Sequence, residues 1–313
     1  MRVLLTVTVV ALLSQGCSPV CTVPDAETNL MIPTSGPGFR YVFAGTNSGV
    51  FRSTDSGATW HVMTTPAKTF AAGFAVGGNN LYVATNYGVL RSIDDGLNWV
   101  TTGALPGTGT ESVYIYGPYL FAGTPSNGVC RSSDYGQTWT RFFLGGFRCF
   151  ASKGRDLIAG TDDEGFILST DSGANWQPFN NGLPTMSISG VAIQGTYFIA
   201  GTDNLGLLRS YDRGLTWHSM DPGTPYISTI WSNGNTMIAG TDRATIRSTD
   251  AGQTWQYLGD AFSGVASSIA VSGSFIFEAT RAGGVKRSTD AGVTWEKIDT
   301  GLTESYIYGI GLK

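Results

Sequence analysis

Short apolar and aromatic runs alternate with turns rich in glycine and polar residues through most of this chain. In one stretch, apolar runs at 112–116, 119–122 and 129–132 are followed by a fourth at 139–143. Strand-length runs joined by such short turns are typical of antiparallel hairpins. The pattern therefore predicts a unit of four short strands.

This unit repeats along the chain with a period near 40 residues. A motif, Ser-x-Asp-x-Gly-x-x-Trp, occurs seven times at intervals of 37 to 41 residues, and a small residue followed by Thr precedes each copy. A fixed period of this length indicates a repeat architecture. We call the motif the box, and its Asp and Trp residues are Asp55 and Trp60, Asp94 and Trp99, Asp134 and Trp139, Asp171 and Trp176, Asp212 and Trp217, Asp250 and Trp255, and Asp290 and Trp295.

The composition of the box suits a tight turn between the third and fourth strands. An Asp side chain accepts hydrogen bonds from backbone N–H groups a few residues on, and Gly tolerates a positive φ. The Trp brings a large apolar face to bury beside the sheet. Because a catalytic residue is needed once rather than seven times, the repeated Ser and Asp residues indicate a structural role.

A ring of such units covers the faces that each small sheet would leave exposed, which is the β-propeller arrangement. We predict an all-β, seven-bladed β-propeller with four-stranded antiparallel blades. The first box lacks a good first strand, since Leu30–Ile32 runs into Pro33, which inner strands disfavour. The C-terminal run Tyr306–Ile310 resembles the first-strand run Val113–Gly117. We therefore predict that the C-terminal strand completes the first blade and closes the ring.

The N-terminal segment has the pattern of a signal for export. Residues 1–16 combine Arg2, an apolar core and small or polar residues, as a secretory signal peptide does. Cys17 stands where a bacterial lipoprotein carries its lipid, and lipidation and ordinary cleavage both remain open. Residues 17–38 are rich in Pro, Ser, Thr and Gly and are interpreted as a tether, leaving residues 39–313 as the propeller. We expect a secreted, periplasmic or envelope-anchored protein.

Composition and charge narrow the functional classes. Charged residues are 13 % of the chain and the net charge is −4, which argues against broad binding to nucleic acid or anionic lipid. We expect membrane contact only through a lipid anchor, and a monomer. No zinc spacing, phosphate loop or nucleotide fingerprint occurs, so no cofactor or metal is predicted. Cys130 and Cys149 either pair in an oxidising compartment or pack as buried thiols, which we favour.

The repeat resembles the Asp-box, or BNR, repeat, over roughly residues 39–313. All seven copies keep Ser, Asp, Gly and Trp. The resemblance implies a propeller with its boxes at the periphery, away from active sites, and it does not fix a function. The same repeat occurs in sialidases, xyloglucan-degrading hydrolases, sortilin-like receptors and photosystem II assembly factors. The form of the repeat looks most like xyloglucanases and secreted propellers.

The resemblance raises two kinds of hydrolase, which require different residues. Sialidases that contain this repeat use three Arg residues, a Tyr–Glu pair and an Asp acid. Here six Arg residues directly precede boxes, and Leu168 stands at the seventh such position. No spacing supports Tyr306 and Glu278 as the Tyr–Glu pair. Other glycosidases need two carboxylates about 5–9.5 Å apart. The candidates follow the conserved Thr on loops opposite the boxes: Asp162, Asp163, Glu164, Asp203 and Asp242.

We call these five residues the acidic arc. It is a candidate binding site for glycan hydroxyls or a cation, with Asp162, Asp203 and Asp242 as weak catalytic candidates. The plainer and favoured explanation is a set of solvated turn residues. A second candidate surface consists of aromatic residues: Phe142, Phe143, Phe179, Tyr226, Trp231 and Phe262. Phe142 and Phe179 are the binding candidates among them, and Trp231 is expected in the core.

The sequence favours a non-catalytic binding or scaffold propeller outside the cytoplasm, with a glycan or protein ligand. The alternative is a glycoside hydrolase, xyloglucanase-like or less plausibly sialidase-like, and a weaker alternative is a photosystem assembly factor. His61 and His218 each follow a box Trp, which indicates an outer-strand surface position instead of a base or a metal ligand.

Overall fold

The computed structural model describes residues 38–67, 69–105, 109–125, 128–143, 145–220, 222–258 and 264–313. The predicted signal peptide, the tether with Cys17, the run Leu30–Ile32 and Phe262 lie outside these residues. The described residues form seven four-stranded antiparallel sheets and contain no α-helix. The predicted seven-bladed β-propeller is confirmed.

The strands are numbered β1 to β28 in chain order, and each blade uses a first, second, third and fourth strand from the ring centre outward. The first strands, which contact one another around the ring, are β28 Ile307–Leu312, β4 Ala71–Gly77, β8 Ser112–Tyr116, β12 Phe147–Lys153, β16 Ile188–Gln194, β20 Ile227–Asn233 and β24 Ala266–Ser272. The second strands are β1 Val42–Thr46, β5 Asn80–Thr85, β9 Tyr119–Thr124, β13 Asp156–Thr161, β17 Tyr197–Thr202, β21 Thr236–Thr241 and β25 Phe275–Thr280.

The third strands are β2 Gly49–Ser53, β6 Gly88–Ser92, β10 Gly128–Ser132, β14 Phe166–Ser169, β18 Leu207–Ser210, β22 Thr245–Ser248 and β26 Gly284–Ser288. The fourth strands are β3 His61–Val62, β7 Val100–Thr101, β11 Thr140–Phe143, β15 Gln177–Pro178, β19 His218–Ser219, β23 Gln256–Leu258 and β27 Glu296–Lys297. Five of the fourth strands have only two residues, both exposed, because an outer strand has a partner on one edge only. His61 and His218 lie on this surface, as predicted.

The ring closes as the sequence predicted. Strand β28 pairs antiparallel with β1, with Val42 opposite Leu312 and Ala44 opposite Ile310. Ile307 and Ile310 are fully buried in the core between blades 1 and 7. The last strand of the chain thus supplies the innermost strand of the first blade.

Each box forms the same hydrogen-bonded turn, shown here by the third copy. Ser132 Oγ donates to Asp134 Oδ1 and accepts the backbone N–H of Gly136 at 2.8 Å. Asp134 also accepts the backbone N–H and the hydroxyl of Thr138 at 2.9 and 2.6 Å. These bonds, from the Thr138 hydroxyl first, lower the pKa of Asp134 to about 2. Both carboxylate oxygens accept hydrogen bonds inside the turn, which supports a structural role for Asp134.

Four of the six arginines before the boxes, Arg52, Arg131, Arg247 and Arg287, donate a hydrogen bond to the box of the neighbouring blade. Arg52 Nη1 donates to the carbonyl of Asp95 in the next box at 2.8 Å, and Arg131 does the same to Ser172 at 3.0 Å. Arg287 of blade 7 donates to Ser56 of blade 1, so this contact also spans the ring closure. The accepting residue in each box has a positive φ near 60° although it is not glycine. The box arginines are thus structural groups rather than substrate ligands.

Two buried-residue predictions are confirmed in the core. Trp231 is 9 % exposed and packs with Ile238 and Ile269. Cys130 and Cys149 are both buried free thiols. Burial also raises the pKa of the Cys130 thiol to about 11. Cys130 thus packs in the core as a small apolar residue.

Candidate functional site

The propeller has two different faces. Because successive strands run antiparallel, the boxes lie at one end of the blades, and the loops after the second strands lie at the other end with the connections between blades. Backbone contacts follow this division: Asp162 N–H donates to Gly146 O at 3.1 Å, joining such a loop to such a connection. We call the two ends the box face and the upper face. The acidic arc lies on the upper face, as the sequence predicted.

One arginine organises two members of the acidic arc. Arg148, the second residue of β12, binds Asp162 through Nε and Asp203 through Nη1, the latter at 2.8 Å. Ser187 Oγ donates to Asp203 Oδ2 at 2.6 Å. The Arg148 side chain is only 14 % exposed, whereas those of Asp162 and Asp203 are 39 % and 31 % exposed. Arg148 therefore holds the two carboxylates in place, while part of each side chain still faces solvent.

Gly146 makes room for this arrangement. A Cβ atom on Gly146 would come within 2.6 Å of Asp162 Oδ2 and 2.9 Å of the Pro125 carbonyl oxygen. Both distances are too short for a methyl group. A glycine directly before β12 therefore lets the Asp162 carboxylate lie against the backbone beside Arg148.

Glu111 adds a third carboxyl group next to Asp162. It directly precedes β8 and is partly buried. Burial, followed by the charge of Asp162, raises the pKa of Glu111 to about 7, and Arg148 and Arg281 oppose the rise. Near neutral pH, Glu111 is therefore present in both its protonated and its ionised form. Its neighbour Asp162 forms an ion pair with Arg148. We call Glu111, Arg148, Asp162, Asp203 and Arg281 the charged cluster.

The other members of the arc are placed differently. Asp163 and Glu164 are exposed on the loop after β13, and the Glu164 carbonyl accepts Asn180 Nδ2 at 2.7 Å. Asp242 is exposed after β21, 3.2 Å from Thr224 Oγ1 and 4.0 Å from Arg243 Nε. The structure brings Asp162 and Asp203 together through Arg148 and leaves Asp242 with its own local partners.

Three aromatic residues line the upper ends of the first strands of blades 1 and 2. The ring of Phe70 lies 4.3 Å from that of Tyr308 at an interplanar angle of 72°. The ring of Tyr306 lies 4.7 Å from that of Tyr308 at 38°. Burial, then the neighbouring Tyr306, raises the pKa of Tyr308. We call Phe70, Tyr306 and Tyr308 the aromatic wall.

Arg281 connects the aromatic wall to the charged cluster. It follows β25 in blade 7 and interacts electrostatically with Glu111 and with Tyr308. The ring order is then Arg281 in blade 7, Tyr308 in blade 1, Phe70 in blade 2, Glu111 in blade 3 and the Arg148 pair in blades 4 and 5. These groups lie around the ring at the upper ends of the first and second strands, and we call this region the upper mouth.

The two aromatic binding candidates from the sequence are placed elsewhere. Phe142 lies on the outer strand β11, packs against the core of blades 3 and 4, and has the Arg131 guanidinium 4.4 Å from its ring centre. Phe179 follows β15 and packs against the core that contains Phe166. Tyr226, half-buried before β20, is at the upper face.

Glu278 and Tyr306 are not brought together. The Glu278 carboxylate is buried in blade 7, where it accepts the hydroxyl of Thr245 in blade 6 at 2.8 Å. Tyr306 lies beside Tyr308, just before β28 of blade 1. Within the described ranges, no group of three or more His, Cys, Asp or Glu side chains is arranged to hold a metal ion. In the same residues, no helix has the length and apolar character required to cross a bilayer.

Sequence reasoning missed five residues of the upper mouth: Phe70, Glu111, Arg148, Arg281 and Tyr308. Their shared signal is position, since each lies directly after a second strand or within two residues of the start of a first strand. Those positions differ in residue type from repeat to repeat, unlike the boxes. Only closure of the ring shows that they share this region.

Comparison with known proteins identifies the fold. No protein-family model matches the chain, and no curated protein sequence is similar to it. Among solved structures, YCF48 bound to D1 peptide has 17 % identity and a TM-score of 0.61, covering 76 % of this chain and 85 % of that one. The GH74 xyloglucanase from Xanthomonas campestris has 17 % identity and a TM-score of 0.67, covering 85 % and 54 %.

A third similar structure is an extracellular domain assigned to a one-component system of B. thetaiotaomicron. It has 17 % identity and a TM-score of 0.65, covering 79 % of this chain and 36 % of that one. This chain therefore spans about half of the solved xyloglucanase chain and about a third of the solved extracellular domain. At such identities the similarity shows the fold alone: the protein is a β-propeller of the architecture shared by these three proteins.

Proposed function

We propose that this protein is a non-catalytic binding or scaffold propeller that acts outside the cytoplasm and takes a glycan or protein ligand at the upper mouth. The observation that carries this proposal is that the charged cluster and the aromatic wall lie at the same end of the ring, connected by Arg281. Clefts that bind ligands combine apolar surface with a few fixed polar groups. The box face has no comparable diversity, since its turns repeat one set of internal hydrogen bonds.

The way the chain enters the propeller supports this choice of face. Gly38 lies beside Ser272, at the box-face end of β24, and Arg40 and Tyr41 donate their N–H groups to the Lys313 carbonyl at 2.5 and 2.7 Å. The proposed tether thus joins the box face. A lipid on Cys17 would hold that face toward a membrane and leave the upper mouth open to the surroundings.

The known proteins of the same fold are compatible with either ligand class. One carries a bound peptide, one is an extracellular domain and one is a xyloglucanase. The coverage favours binding over hydrolysis, because this chain matches 54 % of the xyloglucanase length. The peptide-bound protein, matched over 85 % of its length, keeps the assembly-factor alternative open.

A glycoside hydrolase is the second candidate, and one observation favours it. Glu111, with its pKa raised to about 7, interacts with Asp162, which is held by Arg148. A carboxyl group with a raised pKa beside a second carboxyl group is the arrangement of a general acid and a base or nucleophile. A sialidase is less well supported, since Arg148 is already bound to two carboxylates.

The test compares binding and release on one panel. Purified protein is mixed with xyloglucan, a mixed-linkage β-glucan, sialyllactose and an array of 15-residue peptides, and bound ligand is measured beside reducing-sugar and sialic-acid release. The upper-face variant is Asp162→Asn/Asp203→Asn/Asp242→Asn, and the box-face control is Ile93→Ser, an exposed position.

We expect binding without release, weakened in the upper-face variant and retained in the control. Release that scales with protein and disappears in Glu111→Gln would replace the proposal with the hydrolase. Binding that survives in the triple variant and is lost in Ile93→Ser would move the site to the box face.

A further inference from the structure

The aromatic wall differs from the other large aromatic side chains of the propeller. Phe142 and Phe179 pack against core clusters, whereas Phe70, Tyr306 and Tyr308 belong to none of the core clusters formed by the described residues. All three are only half-buried. Three aromatic rings placed together but outside the core provide apolar surface for a ligand.

Hydrogen bonds fix the base of the wall. Asn86 Oδ1 accepts the Phe70 backbone N–H at 3.1 Å and the Thr69 hydroxyl at 2.7 Å, which ties the segment before β4 to the loop after β5. Ser48 Oγ donates to Glu304 at 2.5 Å and ties the segment before Tyr306 to the loop after β1. The segments that carry the rings are therefore tied to neighbouring loops before a ligand arrives, which lowers the entropic cost of binding.

The charged cluster is close to neutral as a whole. Arg148 and Arg281 face the carboxyl groups of Asp162, Asp203 and Glu111. Because the pKa of Glu111 is raised to about 7, this carboxyl group is only partly ionised at neutral pH. A cluster so balanced has little long-range attraction for a polyanion or a polycation, but it offers fixed acceptors and donors at short range.

The exposed edges of the two carboxylates suit hydroxyl donors. Asp162 and Asp203 are oriented by Arg148, and Asp203 also by Ser187, while each keeps about a third of its side chain exposed. Because both side chains stay partly exposed, hydroxyl groups of a ligand can reach their carboxylate oxygens, which accept hydrogen bonds. Sugar rings present an apolar face and hydroxyl groups at the edge, which together match an aromatic surface beside fixed acceptors.

We propose that the upper mouth is a binding site for a neutral oligosaccharide, with a sugar ring stacked on the aromatic wall and hydroxyl groups donated to Asp162 and Asp203. Arg148 is a positioning residue that holds both carboxylates. This inference rests on the proposed function and narrows it to one class of ligand. A charged sugar and a peptide are the competing ligands, and they become outcomes of the test.

The experiment measures the Kd of the full chain for cellotetraose, a xyloglucan heptasaccharide, sialyllactose and the 15-residue peptides by calorimetry or array. The wall is tested with Phe70→Ala, Tyr308→Ala and Tyr308→Phe. Tyr257→Ala, a half-exposed tyrosine on the outer strand of blade 6, is the matched control. Thermal melting of each variant separates loss of binding from loss of fold.

We expect a neutral oligosaccharide to bind, with Kd raised about tenfold by Tyr308→Ala and by Phe70→Ala, which corresponds to about 1.4 kcal/mol. Tyr308→Phe keeps the ring and should stay within about threefold of the natural protein, and Tyr257→Ala should leave Kd unchanged. Asp203→Asn keeps its size but weakens the acceptor, so it should raise Kd without lowering the melting temperature.

Three outcomes would overturn the inference. Equal affinity in Tyr308→Ala and the natural protein would remove the wall from the site. Binding of sialyllactose or peptides alone, lost in the Asp162→Asn/Asp203→Asn/Asp242→Asn variant, would overturn the ligand class while the proposed function stands. If no ligand on the panel depends on the upper-face residues, both the inference and the proposed function fail.

Discussion

The box face and the upper face lie at opposite ends of the same blades. They differ in how much the residue type at one position of the repeat varies from blade to blade. On the box face, seven Asp residues occupy one position and make the same bonds, and each lowered pKa reflects them. On the upper face, the residues that directly follow the conserved Thr all sit at one position of the repeat: Asn47, Asn86, Pro125, Asp162, Asp203, Asp242 and Arg281.

The box residues form a turn that every blade requires, whereas the upper-face residues form a contact that the whole ring makes once. A turn must form in each blade, so its hydrogen bonds are repeated. A ligand contacts the assembled ring at one place, so its contacts are distributed over different blades. Variation at a repeated position is therefore the better guide to the site of a propeller than the repeated motif.

The largest effect is expected from opening the ring, because both faces require the ring to be closed. Deleting residues 305–313 removes β28 with the fully buried Ile307 and Ile310. Loss of this burial and of one complete strand pairing should destabilise the protein by about 5 kcal/mol or more. Thermal melting by circular dichroism checks it.

A circular permutant is the control for that deletion. It joins residue 313 to residue 39 and starts at residue 303, so it keeps every strand and changes only the chain ends. We expect it to melt close to the natural protein. A truncated chain that melts like the full one would show that β28 does not hold the ring closed.

Two serine-to-alanine substitutions, one on each face, compare how much each face contributes to stability. Ser169 in a box is buried and accepts the Gly173 N–H at 2.8 Å, so Ser169→Ala leaves that N–H without its partner. We expect a loss of about 1–3 kcal/mol in the free energy of unfolding. Ser187→Ala on the upper face removes only one half-buried bond to Asp203 and should cost under about 1 kcal/mol while weakening ligand binding.

Denaturant melts of both serine variants, beside the binding panel, give the answer. If Ser187→Ala destabilises the protein as much as Ser169→Ala does, the upper-face network is a structural element like the boxes, and its assignment as a site loses its support.

The two faces should also respond to pH in opposite directions. The box aspartates have a folded pKa near 2, below the ordinary 3.8, as Asp134 and Asp290 show. Stability from them is complete above pH 3.8 and falls as the pH drops toward 2. Glu111 has a raised folded pKa of about 7 against 4.5, so it costs stability as the pH rises from 4.5 through 7.

Melting temperatures from pH 2 to 9 test both statements. We expect steep loss of stability below pH 4. Above pH 7, Glu111→Gln should be more stable than the natural protein, by at most about 3 kcal/mol for this shift. An Asp163→Asn control on the exposed loop should change neither limb. A Glu111→Gln curve parallel to that of the natural protein would contradict the burial of an ionising group.

The smallest effect is expected at the one junction where the box arginine is absent. Leu168 stands before the fourth box, and Arg213 in the fifth box instead binds Asp156 of blade 4 at 2.6 Å. Because the Arg213 side chain is 52 % exposed, a double-mutant cycle on Arg213→Ala and Asp156→Ala should give a coupling below about 1 kcal/mol. Coupling above about 2 kcal/mol would make this pair as important as a buried contact.

Much of the fold was predictable because the signals are local and repeated. The box spacing indicated seven blades, and the likeness of Tyr306–Ile310 to Val113–Gly117 indicated the closing strand; both predictions are confirmed. The lengths of the fourth strands were less predictable. A two-residue outer strand is defined by its pairing to the third strand, which leaves almost no pattern in the sequence.

The candidate site was predictable only in part. The position of Asp162 and Asp203 on the face opposite the boxes follows from strand alternation. Their joint binding to Arg148 does not, because Arg148 reaches Asp203 over 55 positions of sequence. Phe70 and Tyr308 are 238 residues apart by their numbers, and only ring closure places their rings 4.3 Å from each other.

By itself, the sequence determined the repeated unit, its turn chemistry and the number of blades, since these depend on residues within about one period of each other. Tertiary structure alone decided which residues meet at the upper mouth and which aromatic rings stay outside the core. The physical reason is that a propeller unites at its centre the ends of strands from every blade. Neighbours there are set by closure of the ring, and no local pattern in the chain records them.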